Sequence, residues 1–183
     1  MSDRPSGESS GKPGAAPAAP AAVSIRPIAA EDGPTCRRLF TAALGNTLYA
    51  DAPRGALRAA LDSAVTGRDN PEARGLVAVV NNRLVGVAIY GEVAGAIGAG
   101  KMHGMAVAPD SQRHGIARAL IAAFAAALAR RGARFVLVEL PDAPELAAGR
   151  SLLLQCKFVE EARVPDFFVD GIALSFLRRE LKN

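Results

Sequence analysis

The spacing of apolar residues changes several times along this chain, and each change marks an element. Val23-Ser-Ile-Arg-Pro-Ile28 alternates apolar and polar positions, the period of a half-buried strand. Pro27 predicts that this strand lies at a sheet edge, because proline brings no N–H to a ladder. Cys36, Leu39, Phe40, Ala43 and Leu44 then recur at helical spacing, with Glu31 and Asp32 near the end where the helix dipole favours acidic groups. A second amphipathic helix is predicted from about Pro53 to Val65, with Leu57, Ala60, Leu61 and Ala64 on its buried face, and Gly67-Arg-Asp-Asn-Pro71 ends it as a loop. Leu76 to Val80 and Leu84 to Tyr90 read as two strands around the tight-turn pair Asn81-Asn82. Gly91 to Gly100 holds too much Gly and Ala for either period to show. The expectation there is a wide hairpin loop near the substrate.

The second half of the chain is more regular. A strand is predicted from about Lys101 to Val107, followed by a polar loop and a helix that buries Ile116, Leu120, Ile121, Phe124 and Leu128. Arg130 and Arg131 in its last turn and Gly132 beyond it are a stop signal. Phe135-Val-Leu-Val-Glu-Leu140 is a short β-branched run. A strand, a helix and a strand in this order give a right-handed parallel crossover. Pro144 to Leu154 reads as a last helix, and Phe158 to Val164 with Ile172 to Leu177 as a hairpin around Asp170-Gly171. The fold class is α/β: one mixed sheet of about seven strands with helices on both faces.

Composition narrows this picture more than it extends it. The chain has 183 residues, 50% of them hydrophobic, enough for one sizeable core. Lys and Arg number 22 against 18 Asp and Glu, a formal charge of +4. The cations are mostly scattered Arg rather than a basic tract with interleaved aromatics, which argues against a nucleic-acid partner and fits an anionic ligand. Cys36 and Cys156 make no metal spacing and no disulfide framework, as expected of a cytoplasmic protein. Met1 to Ala22 is almost entirely Ser, Gly, Pro and Ala, without the apolar stretch of a secretory signal. It is expected to be a disordered tail, with residues 23–183 as the folded domain. No apolar run is long enough to span a membrane.

The chemistry is most legible between Met102 and Ile121. Gln112-Arg113-His114-Gly115-Ile116-Ala117 has the spacing Q-x-x-G-x-A between a strand exit at Val107-Ala-Pro109 and a long helix. Gly115 and Ala117 let a ligand approach the backbone, and the first amides of the helix point outward at the positive end of its dipole, an arrangement suited to phosphate or pyrophosphate. Arg113 adds a cation at the same mouth. On this segment the chain resembles the GNAT acyltransferase superfamily, from about Val23 to the C-terminus and most strongly between Met102 and Phe158. The resemblance implies a parallel strand pair splayed at the cofactor site, with acetyl-CoA as the acyl donor. Its pyrophosphate would lie on the amides of Gln112, Arg113, His114, Gly115, Ile116 and Ala117, and its pantetheine arm against Met105, Ala106 and Val107. It also implies that the first two helices flank the acceptor cleft. The partners implied are acetyl-CoA and an amine acceptor, with a homodimer left open.

Acetyl transfer to an amine needs a base for the amine, a donor for the carbonyl oxygen and an acid for the thiolate. Main-chain N–H groups around Met105, Ala106 and Val107 are the oxyanion donors the resemblance implies. Glu139 stands in an otherwise apolar strand, where an unpaired charge is costly. It is either paired with an Arg or turned into the cofactor cleft as a base, the position at which ribosomal-protein N-terminal acetyltransferases of this superfamily carry a catalytic glutamate. His103, on the strand before the loop, is the alternative base and otherwise a hydrogen-bonded structural residue. Tyr90 and Glu92 end a strand that would reach the acceptor cleft. The chain departs from the superfamily in Gly149-Arg-Ser-Leu-Leu-Leu-Gln-Cys-Lys-Phe158. Leu153 stands where the pattern A-x-x-F-Y-x-x-x-G-F has its acid tyrosine, and Lys157 replaces the glycine. The asparagine that often precedes this helix is absent as well. Ser151 and Cys156 are nearby but out of register. Two readings follow: an N-acetyltransferase using another acid, or a catalytically weak or inactive acetyl-CoA-binding sensor. No metal site is expected.

Overall fold

In the computed structural model, which describes residues 22–44, 52–66 and 70–181, side-chain alternation along the central strands divides the apolar residues between two cores. The strands are β1 (Ser24–Pro27), β2 (Arg74–Val80), β3 (Arg83–Glu92), β4 (Ala99–Val107), β5 (Phe135–Pro141), β6 (Val159–Val169) and β7 (Ile172–Glu180). The helices are α1 (Gly33–Leu44), α2 (Ala52–Val65), α3 (Ile116–Arg130) and α4 (Ala147–Gln155). In β2, Leu76 and Ala78 face α3, while Val77 faces α1 and α2. In β3, Ala88 and Tyr90 take the first side and Val87 and Ile89 the second. The larger core is filled by Leu120, Ile121, Phe124 and Leu128 of α3, all at most 1% exposed. Each contributes roughly 1.5–3 kcal/mol by leaving water.

The seven strands form one sheet in the order β1-β2-β3-β4-β5-β7-β6. All neighbours are antiparallel except β4 and β5, which run parallel and are joined through α3. The predicted edge position of β1, both early helices, the parallel crossover and the closing hairpin are all present. Asn81 and Asn82 have φ of 49° and 58°, the left-handed pair of a tight hairpin turn. The last helix is shorter than its predicted span: Pro144–Leu146 forms a 3-10 turn, and α4 starts only at Ala147. Residues 1–21 of the predicted tail and 67–69 of the predicted loop lie outside the described residues. Among the described residues no helix is long and apolar enough to cross a membrane.

Two expectations about the acceptor side fail for a topological reason. The segment after Gly91 is a hairpin loop between β3 and β4, but it lies at the start of β4, where β4 and β5 are still paired, and it packs on Arg134. Tyr90 points into the α3 core and stacks on Phe124 at 5.7 Å, and Glu92 pairs with Arg131 at 2.7 Å. All three belong to the closed end of the strand pair, so none of them lines the cleft.

Candidate functional site

The site begins where β4 and β5 part. They are in register only from Ala99 with Phe135 to Met102 with Val138. Beyond that point β4 stays on β3 through Val107, while β5 stays on β7 through Pro141. Met105, Ala106 and Val107 therefore have a strand on one edge only, leaving their other edge to the gap. The gap is a cavity of about 120 Å³. It is bordered by Leu44 of α1 and Leu57 of α2 on one face of the sheet, and by Leu146, Gly149 and Leu153 from the α4 side on the other. A small molecule lying in it would touch both faces.

At the open end of the gap the chain leaves β4, makes a 3-10 turn over Pro109–Ser111 and enters α3. Gln112 donates its side-chain N–H to the Val107 carbonyl at 3.2 Å, which ties the loop back to the strand. Arg83 braces the turn from β3, reaching Asp110 at 2.7 Å and the Ser111 hydroxyl at 3.0 Å. Arg113 and Gly115 have φ of 62° and 79°, and a Cβ on Gly115 would meet nothing within 4 Å. The backbone is thus exposed outward at the N-cap of α3, where the first-turn amides have no intrahelical partners. Ile116 is buried and anchors the helix, while Gln112, Arg113 and His114 are exposed around the mouth. Gln112, Arg113, His114 and Gly115 form the loop that leads into Ile116 and Ala117, the first residues of α3.

Glu139 and His103 both line the gap and both sit on the α1/α2 face. For Glu139 the two alternatives hold together: it reaches the cleft and it is paired, though with Lys101 rather than an arginine, at 2.7 Å. The pair is partly open to solvent, 30% for Lys101 and 41% for Glu139, so it is screened rather than locked in a dry interior. His103 Nε2 lies 2.7 Å from the main-chain oxygen of Glu72. Burial is the main influence on this ring and lowers its pKa. Lys101 acts in the same direction, and the Glu72 carbonyl, Glu139 and the Glu72 carboxylate oppose it.

Among the described residues lining the gap, those from the α4 side carry no side-chain proton donor. Leu153, 3% exposed, fills its place in the cavity wall with a hydrocarbon group. Ser151 is exposed and accepts a long hydrogen bond from Gln155, and Cys156 is buried outside the lining. The sequence reading missed Lys101, Asn70, Glu72 and Gly91 as parts of the site. A glycine at the end of a strand is a weak sign of close backbone approach, and Gly91 was that sign.

The sequence profile of the Acetyltransferase (GNAT) family matches residues 40–148. No curated protein matches the chain. Solved structures share its fold. A GNAT-family protein from Desulfovibrio desulfuricans superposes with a TM-score of 0.78 at 22% identity, over 88% of this chain and 100% of that one. A protein from Salmonella typhimurium, solved with its cofactor acetyl-CoA, gives 0.71 at 19% identity, over 88% and 95%. The ribosomal-protein-S18-alanine N-acetyltransferase from Escherichia coli gives 0.69 at 16% identity, over 88% and 96%.

Proposed function

The chain belongs to the acetyltransferase (GNAT) family, and from that premise we propose that it transfers acetyl from acetyl-CoA to a primary amine, on a small molecule or a peptide N-terminus, by direct attack in a ternary complex. The observation that carries this reading is the parting of β4 and β5 beyond Met102 and Val138 into a cavity that reaches both faces of the sheet beside the α3 loop. The loop amides from Gln112 to Ala117 hold the pyrophosphate, and the free edge of Met105, Ala106 and Val107 runs along the pantetheine arm. A main-chain N–H on that edge serves the carbonyl oxygen as charge builds on it. The acceptor amine enters from the α1/α2 face, where His103 and Glu139 are the two groups able to take its proton. On this reading the transferase domain is residues 23–183. Two free, buried cysteines are consistent with work in a reducing cytoplasm.

Leu153 favours a second reading, in which the chain binds acetyl-CoA as a sensor and transfers slowly or not at all. One experiment separates the two: release of CoA thiol followed across a panel of primary amines and peptides, beside calorimetry with acetyl-CoA. Thiol release that depends on one class of amine supports the enzyme. Micromolar binding with no release from any acceptor supports the sensor. Absence of binding overturns both.

A further inference from the structure

His103 is the extra residue of a bulge in β4. Ile89 of β3 pairs with Gly104 and Tyr90 with Met102, so His103 has no partner in register. A bulge of this kind re-aims one side chain without breaking the strand. The ring is then held by a turn that lies over β3 on the same α1/α2 face. Because the Glu72 carbonyl only accepts, Nε2 carries the proton of the 2.7 Å contact, and the neutral ring keeps its lone pair on Nδ1. The Glu72 peptide lies so close over β3 that a Cβ on Gly91 would stand 2.0 Å from the same oxygen. Only glycine leaves that oxygen its place. The turn is tied down at both ends and to α2. Glu92 N–H donates to the Pro71 carbonyl at 2.7 Å, and Glu72 N–H donates to Asn70 Oδ1 at 3.0 Å. Asn70 Nδ2 in turn donates to the Ser63 hydroxyl of α2 at 2.7 Å.

We propose that the Asn70–Glu72 turn, seated on Gly91, is a positioning device that fixes the tautomer of His103, so that Nδ1 of this residue carries the reaction's proton both from the amine and to the sulfur. The inference rests on the acetyltransferase reading. Among the described residues lining the gap, only His103 and Glu139 are titratable, and Glu139 is paired with Lys101 at 2.7 Å. As the amine nitrogen bonds to the thioester carbonyl carbon, Nδ1 takes the proton that nitrogen sheds. The C–S bond then breaks with its electron pair on sulfur, and the imidazolium returns the proton to the thiolate. Amide and thiol are the products, and His103 ends as it began. One group acting in both directions accounts for an α4 wall that presents Leu153 where an acid would stand. The charged groups facing the ring are Lys101, Glu139 and Glu72.

The test uses the full chain and begins with a readout independent of activity. The chain has two histidines, His103 and His114, so long-range ¹H–¹⁵N correlation spectra assign both rings after one substitution. Wild type at neutral pH should show His103 as the Nε2–H tautomer, and Asn70→Ala should mix the two tautomers. Asn70→Asp keeps the Oδ1 acceptor and should hold the wild-type ratio. In turnover, Asn70→Ala should lower kcat by roughly 10- to 100-fold with acetyl-CoA affinity unchanged, as a misplaced group does, and Asn70→Asp should restore it. His103→Gln still donates to Glu72 but has no basic nitrogen, and should lose roughly 10²–10⁴-fold in kcat together with the acidic limb of the pH profile. An Nδ1–H ring in wild type overturns the proposal. So does a tautomer ratio that Asn70→Ala leaves untouched, or a His103→Gln enzyme within about threefold of wild type. If no amine on the panel is acetylated, the functional reading falls, while the spectra still decide the positioning.

Discussion

On the α1/α2 face of the gap stand His103 and Glu139, the latter paired with Lys101, three groups whose charge or proton depends on their neighbours. On the α3/α4 face the same gap is walled by Leu146, Gly149 and Leu153, and the α3 loop at its mouth adds main-chain amides beside the exposed side chains of Gln112, Arg113 and His114. The first face is specified by side-chain identity and by what pairs with what. The second is specified by backbone shape, which many sequences can supply. A ligand shared by many relatives is best held by the second kind of surface, and a reaction that moves a proton needs the first. The division predicts that substitutions on the α3/α4 face should act on binding, and substitutions on the α1/α2 face on turnover and its pH dependence.

The largest effect that would break this division is on cofactor affinity. Gly115→Asp places a carboxylate in the open space at the N-cap of α3, where the φ of 79° is tolerated by Asp better than by most residues. Acetyl-CoA affinity by calorimetry should fall by about 10²-fold or more through repulsion of the pyrophosphate, with the melting curve in place. Unchanged affinity would remove the loop from the cofactor site. Glu139→Gln should act less strongly and differently. Glu139 raises the pKa of His103 and Lys101 lowers it, so losing the carboxylate removes one of the groups that offset burial and Lys101, and that pKa moves further down. The acidic limb of kcat/KM should therefore move to lower pH, and kcat at neutral pH should fall by about 10-fold or less. A loss of roughly 10²–10⁴-fold with disappearance of that limb would instead make Glu139 the base. Leu153→Tyr comes third, and because it puts an ionisable side chain on the backbone-built face it is the one substitution there expected to change kcat, by a few-fold. A rise would show that the missing acid limits the wild type. A fall would show a hydroxyphenyl ring crowding a thiol that His103 already serves.

The two faces were unequally legible from sequence. Backbone-built features leave a spacing behind, so the loop from Gln112 to Ala117, the strand before it and the buried stripe of α3 were all readable from residue order. Leu153 stood out because an alignment by spacing gives it a position even when its chemistry departs. Glu139 was visible as a charge in an apolar run, yet its partner was not. Lys101 lies 38 positions away and reaches it only because β4 and β5 are parallel neighbours. The bulge at His103 left no pattern at all, and the Glu72 carbonyl above Gly91 left only the weak sign of a glycine at a strand end. One is a register slip between strands and the other a main-chain contact, and neither depends on a side chain that can be read. Tyr90 and Glu92 were misplaced for a related reason: the period of a strand says which residues share a face, but not which end of the strand the cleft occupies.

The smallest predicted effect separates stability from both chemistries. α3 and α4, the helices of the second face, end in the same way. After α3, Gly132 N–H donates to the Ala129 carbonyl and Ala133 N–H to that of Leu128; after α4, Lys157 N–H donates to Leu154 and Phe158 N–H to Leu153. Both closures need a left-handed residue, at φ of 86° for Gly132 and 68° for Lys157. Glycine takes this conformation freely, whereas a lysine Cβ crowds its own carbonyl at a cost of about 1–2 kcal/mol. Part of that gain is offset because glycine widens the unfolded ensemble, so Lys157→Gly should stabilise the fold by about 1 kcal/mol. For a chain of this size that is a rise in Tm of roughly 2–4 °C. Because Lys157 is exposed and lies outside the gap lining, kcat and its pH profile should not move. A stabilised variant with an altered acidic limb would mean that the end of α4 is coupled to His103 through the gap, and that the two faces are not independent. A variant with unchanged Tm would mean that interactions of the lysine side chain already compensate the backbone cost at this turn.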